Sequence, residues 1–158
     1  MLWSSLGGGF VGTLVLTTMM RAAGELGFTR MDVPFLLGTV WTENRRKAKA
    51  VGYALHFAVG LLLALLYGAV FAAINRRSWW LGALFGLIHA LFAGTVVGNI
   101  LLPALHPRIG TPETAADETA LIEPPGFMFL NYGRSTLLVS LVSHVAYGAI
   151  IGWAVAGP

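Results

Sequence analysis

Four stretches of this chain are apolar throughout, over about residues 2–20, 50–74, 79–102 and 135–156. Each is near the ~20 residues that cross a hydrocarbon core as a helix. Polar and charged residues gather between them, in connections 21–49 and 103–134 and in a short turn before Ser78. The pattern predicts an all-α, polytopic membrane protein with four transmembrane helices in one membrane domain, 1–158. A β-barrel would show ~10-residue segments of alternating polarity instead. No basic residue precedes the first apolar run, which ends at Arg21. That favours an uncleaved first helix over a secretory signal.

The apolar stretches carry ladders of small residues spaced by four. One reads Gly52, His56, Gly60, Ala64, Gly68; another reads Ser140, His144, Gly148, Gly152, Ala156. The third stretch carries Gly82, Gly86, Ala90, Gly94, Gly98, and the first a weaker stripe of Gly9, Thr13, Thr17, Arg21, Glu25. Residues four apart share a helix face, and small residues there let backbones approach closely in lipid. The matching histidine rungs predict a duplicated two-helix unit. The repeats would be parallel, related by an axis along the membrane normal. Each long connection also holds a short apolar piece, Pro34–Leu37 and Phe127–Leu130. Both are too short to cross and are expected to lie at the interface or cap the bundle. A helix over 111–121 is expected in the third connection, with Thr111 as cap and Pro112 in its first turn.

Composition sharpens the class. Hydrophobic residues make up 56% of the chain and charged residues only 11%, against roughly 25% charged in a soluble domain. Mean hydropathy is +0.74. With no cysteine, disulfides, thiolate metal sites and cysteine nucleophiles are excluded. The net charge of +3 sits beside apolar spans and reads as a topology signal rather than a nucleic-acid footprint. Arg30, Arg45, Arg46, Lys47 and Lys49 place the first connection in the cytoplasm. Trp3, Trp79, Trp80 and Trp153 mark the opposite interface, so both termini are expected outside a prokaryotic inner membrane. The Arg45–Lys49 run is also suited to anionic lipid headgroups.

The candidate chemistry is sparse. His56 and His144 fall at similar depth in the same half of the membrane, and an ionisable group there needs a reason. With Arg21, Glu25, His89 and Asn99 they compose a candidate polar cluster. One reading has neutral histidines hydrogen-bonding Thr13, Thr17, Ser140 or Ser143 across helices. A second has His56 and His144 ligating a tetrapyrrole, haem or chlorophyll, with Gly60 and Gly148 leaving room for a flat ring. A third is a proton or ion pathway. His89 reads as a core group and His106 as a surface loop residue. No metal site is expected, since no i, i+4 histidine pair or nearby carboxylate supports one. Gly7, Gly9 and Gly12 spell G-x-G-x-x-G, but no strand precedes them, so the dinucleotide reading fails.

The Gly12-Thr13 stripe, the loop Met31-Asp32-Val33-Pro34-Phe35-Leu36-Leu37-Gly38, the His56-x-x-x-Gly60 helix with Tyr67-Gly68, and His144-x-x-Tyr147-Gly148 resemble a group of uncharacterised prokaryotic four-helix membrane proteins. The resemblance spans nearly the whole chain. It implies four helices and two defining histidine-glycine positions, and it brings no activity, cofactor or catalytic residue.

The expectation is therefore a non-enzymatic integral membrane protein. The first reading is a structural or accessory subunit. Its small-residue faces, Gly52, Gly60, Ala64, Gly68, Gly82, Gly86, Gly94, Gly98, Ser140, Gly148 and Gly152, exceed what one bundle needs and invite a second copy or a larger membrane complex. The alternatives are a tetrapyrrole-binding subunit of a respiratory or photosynthetic complex, and a small transporter or channel. No nucleophile–base pair supports an enzyme.

Overall fold

The computed structural model describes residues 1–110 and 122–157. It is all-α, and four helices are long and apolar enough to cross a membrane. They are α1 (Leu2–Glu25), α3 (Arg45–Ala73), the rod Trp79–Leu105, and α6 (Thr136–Ala156). The rod comprises α4 (Trp79–Phe92), a π-helical stretch (Ala93–Leu101) and α5 (Leu102–Leu105). A short α2 (Val33–Gly38) lies in the first connection and a 3-10 segment (Phe127–Tyr132) in the third. The helix expected over 111–121 lies outside the described residues.

The helix ends follow from local chemistry. Asn44 caps α3 by accepting from the amides of Arg46 and Lys47, both at 3.1 Å. Ser78 does the same for Leu81 at the start of α4, and Asp32 for Phe35 in α2. These bonds satisfy amides that a helix start leaves open. α1 closes on Gly27 (φ 79°): Phe28 N–H donates to the Ala23 carbonyl and Gly27 N–H to that of Gly24. α3 closes the same way on Asn75 (φ 51°), through Arg76 to Phe71 and Asn75 to Ala72. Glycine and asparagine tolerate this left-handed position best.

Three boundaries differ from expectation. α1 runs past Arg21 to Glu25, because charged residues continue a helix well once it leaves the apolar layer. α3 begins at Arg45 for the same reason. The third span continues through Pro103 to Leu105, the proline costing that last part of the rod one backbone hydrogen bond. The widened π-helical stretch lies just before it. Such stretches are rare and mark local strain or function.

The ladders are consumed inside the chain. Ser5, Gly9 and Thr13 of α1 meet Gly68, Ala64 and Gly60 of α3. Gly82 and Gly86 of α4 meet the backbone of Gly148 and His144 in α6, and Gly152 meets the Ser78 carbonyl. A methyl group at any of these glycines of α4 and α6 would collide with backbone. An adjacent face of α1 packs on α6, Gly8 against Ile151 and Ala154, and Gly12 against Tyr147. Three other rungs pack elsewhere than on another spanning helix: Gly52 touches the Pro34 carbonyl of α2, Gly94 touches Met128, and Gly98 the Phe129 ring. Ser140 is buried.

The two halves are not equivalent. α1 lies backbone to backbone on α6, whereas α3 and α4 are held apart by aromatic side chains. Phe71 stacks on Phe85 at 5.2 Å, and Tyr67 meets Phe85 edge-on at 5.7 Å. In each spanning helix only 28–39% of the most apolar window is buried. The remainder, including Leu62, Leu66, Ile88 and Leu138, faces outward as an apolar girdle of the kind lipid covers. Trp3, Trp79, Trp80 and Trp153 are all exposed at the end of the bundle away from the long connections.

At the other end the connections are laced together. Arg30 N–H donates to the Tyr132 carbonyl, its guanidinium to that of Asn131, and it pairs with Glu123. Thr29 and Thr136 hydroxyls share a 2.7 Å bond. His106 is buried rather than on the surface. Its Nδ1 accepts from Arg108 N–H, so its Nε2–H donates to the Leu36 carbonyl at 3.0 Å. Arg108 reaches the Thr39 carbonyl and pairs with Glu43. These bonds fasten the third connection onto α2.

Candidate functional site

Two of the six expected cluster residues meet. His144 and His89 are in edge-to-face contact, with ring centroids 4.8 Å apart. Their helices come this close because Gly86 lies on the His144 carbonyl. His89 Nδ1 is 3.3 Å from the Tyr67 hydroxyl, which carries the contact to α3. Tyr147 adds a second ring, 6.0 Å from His89 and 5.8 Å from Tyr67. His144, His89 and Tyr67 therefore form one contact chain across α6, α4 and α3. His56 lies apart from it on α3, eleven residues from Tyr67, about 16 Å at 1.5 Å per residue.

The hydrogen bonds fix part of the proton bookkeeping. His144 Nδ1 donates to the Ser140 carbonyl at 2.8 Å, one turn back in its own helix. Its Nε2 is thereby the acceptor nitrogen. Thr13, Thr17 and Ser143 also spend their hydroxyls on carbonyls four residues back. None of these three bonds a histidine, and the Ser140 hydroxyl lies 3.5 Å from His144 Nδ1 within one helix, so the expected cross-helix bonds are not made among the described residues. His56 Nε2 is buried and finds no hydrogen-bond partner among the described residues. A buried nitrogen without a partner is costly.

His56 also lines a groove of about 380 Å³ between α1, α2 and the start of α3. Arg21, Glu25, Arg30, Asp32, Lys49 and Tyr53 contribute to its walls. The groove thus opens among charged groups and has His56 on its wall.

The remaining expected residues fall elsewhere. Arg21 and Glu25 do not enter the interior: they form an exposed ion pair at 3.0 Å on the groove rim. α1 stays packed here through Met20 and Ala23, but a four-residue stripe drifts by about 40° per step on a 3.6-residue helix and carries Arg21 and Glu25 to the exposed side. Asn99 is exposed on the π-helical stretch, next to Gly98, whose own face packs on Phe129. Tyr67, which is not among the expected cluster residues, is buried and joins the contact chain through His89. Only its place on the Gly68 side of the ladder hinted at this. The room expected beside Gly60 and Gly148 is filled, by Thr13 and by Gly82 respectively. Among the described residues no three histidine, cysteine or carboxylate side chains gather as a metal site would need.

No family model, curated protein or solved structure matches this chain.

Proposed function

We propose that this multi-pass membrane protein is a non-enzymatic, proton-handling protein of the small-transporter class. The carrying observation is the set of ionisable groups inside the spans: His56, which lines the groove and has a buried nitrogen without a partner, and the contact chain of His144, His89 and Tyr67. Imidazoles exchange protons near neutral pH through two nitrogens, and a phenol can extend the chain. Ionisable groups inside a membrane mark ion or proton routes more often than scaffolding. Arg21, Glu25, Arg30, Asp32, Lys49 and Tyr53 would set the field at the mouth, and Tyr147 lies beside the inner rings. The reading places the groove on the cytoplasmic side of a prokaryotic inner membrane, from the basic first connection.

The accessory-subunit reading rested on small-residue faces left over for a partner. Those ladders are occupied within the chain, so the argument for a partner loses its basis. The tetrapyrrole reading needs space between the helices that Thr13 and Gly82 fill.

Proton flux into liposomes containing the purified chain, read with an internal pH dye under a clamped potential, tests the proposal. Flux above protein-free liposomes is expected, falling about tenfold or more in His56→Leu and in His89→Leu. Wild-type flux no greater than that of empty liposomes overturns it. A visible absorption spectrum with a Soret band that shifts on reduction would replace it with the tetrapyrrole reading.

A further inference from the structure

We propose that the groove between α1 and α3 holds a lipid headgroup carrying both a phosphate and a primary ammonium, that is, phosphoethanolamine. The groove lies where α1 leaves its apolar span at Arg21 and α3 enters its own after Lys49. That is the depth at which headgroups sit when the apolar girdle is in hydrocarbon.

The charges of the groove are mixed in sign. Arg21 is paired with Glu25 at 3.0 Å, and Lys49 with Asp32 at 3.1 Å. All four side chains remain between about 40% and 68% exposed. Each pair therefore keeps spare donors on the cation and spare lone pairs on the carboxylate. A purely anionic headgroup would use the cations and leave Glu25 and Asp32 facing a like charge. A choline headgroup brings a cation with no N–H to give. A phosphate joined to a primary ammonium satisfies both signs, with charge-assisted bonds at each end. The groove volume of about 380 Å³ exceeds such a headgroup and leaves room for the glycerol. Leu16 and Met20 line the deeper wall, where acyl chains begin.

The test uses the full chain extracted from vesicles of equal phosphatidylethanolamine, phosphatidylcholine and phosphatidylglycerol, with retained lipid measured by mass spectrometry. Phosphatidylethanolamine is expected to be retained about tenfold over either competitor. The double variant Glu25→Gln, Asp32→Asn is expected to bring that ratio to near one while its thermal midpoint and helicity stay at wild-type values. Equal retention of the three lipids by the wild type overturns the proposal. So does a preference that survives in the double variant. Free O-phosphoethanolamine is the control for a soluble ligand: displacement of the lipid at matching concentration overturns the lipid assignment. Retention is read without a proton gradient, so this outcome and that of the flux experiment are independent.

Discussion

Tyr147 of α6 donates its hydroxyl hydrogen to the backbone carbonyl of Gly60 in α3, at 2.5 Å. The bond passes Gly12 of α1, where a Cβ would fall 3.0 Å from the Tyr147 ring. Three helices thus converge on one tyrosine, which is almost fully buried. Tyr147→Phe removes only the hydrogen bond and should destabilise the protein by about 1 kcal/mol. Tyr147→Ala also leaves a cavity and should cost about 3–5 kcal/mol. Unfolding in mixed micelles, followed by helicity, checks both values.

Glycines of this chain divide by what surrounds them. At Gly82 an added methyl would collide with the Gly148 carbonyl, whereas at Gly7 nothing lies within 4 Å. Backbone cannot swing aside as a side chain can. Gly82→Ala should therefore force α4 from α6, with a loss of about 1–3 kcal/mol or more. Gly7→Ala should be neutral or stabilising by up to about 1 kcal/mol, since alanine favours helix. Equal midpoints for the two variants would contradict the packing described here.

The spanning helices were legible because a run of ~20 apolar residues has few other solutions. The ladders were legible as faces but not as partners. Sequence gives the spacing of Gly60, Ala64 and Gly68, whereas only the fold shows that Ser5, Gly9 and Thr13 complete them. The site was half legible. His56, His89 and His144 stood out as ionisable groups within apolar spans. Tyr67 did not, since an apolar span admits tyrosine readily and only its 3.3 Å approach to His89 gives it a role. Arg21 and Glu25 were misplaced because a four-residue stripe drifts around a 3.6-residue helix, so its later rungs reach the exposed side. Asn99 lies one residue from Gly98 and so on a different face, which is exposed.

Tyr132 provides a pH test outside the spanning segments. Its hydroxyl donates to the Glu123 carbonyl at 2.7 Å. Burial, with a smaller contribution from the Glu123 carboxylate and an opposing one from Arg30, raises its pKa to about 12. The unfolded chain ionises near the ordinary value of about 10. A raised folded-state pKa contributes stability that is fully present below pH ~10 and lost as pH rises to ~12. Comparing thermal midpoints of the wild type and Tyr132→Phe from pH 8 to 12 isolates this group from the other tyrosines. The wild type should lose more stability than the variant above pH 10. Parallel curves would show that the phenol is not held neutral by the fold.

The two short segments of the long connections each dock on their own glycine, and they should come loose separately. Gly52 lies on the Pro34 carbonyl of α2, and Gly98 lies on the ring of Phe129. Phe129 and Met128 both hold left-handed φ, 61° and 52°, a conformation that costs a residue with a Cβ of order 1 kcal/mol or more and persists only while the surroundings hold it. Gly98→Ala pushes against a ring that can tilt, so its cost should sit near the lower end of the ~1–3 kcal/mol range for overpacking. The strained pair should still lose amide protection, over 127–132. Gly52→Ala pushes against backbone that cannot tilt and should cost more, loosening 33–38 instead. Hydrogen exchange read by mass spectrometry separates the two patterns. Loss of protection at both segments in either variant would mean that the lacing through Arg30, Thr29 and His106, rather than the glycine contacts, holds them in place.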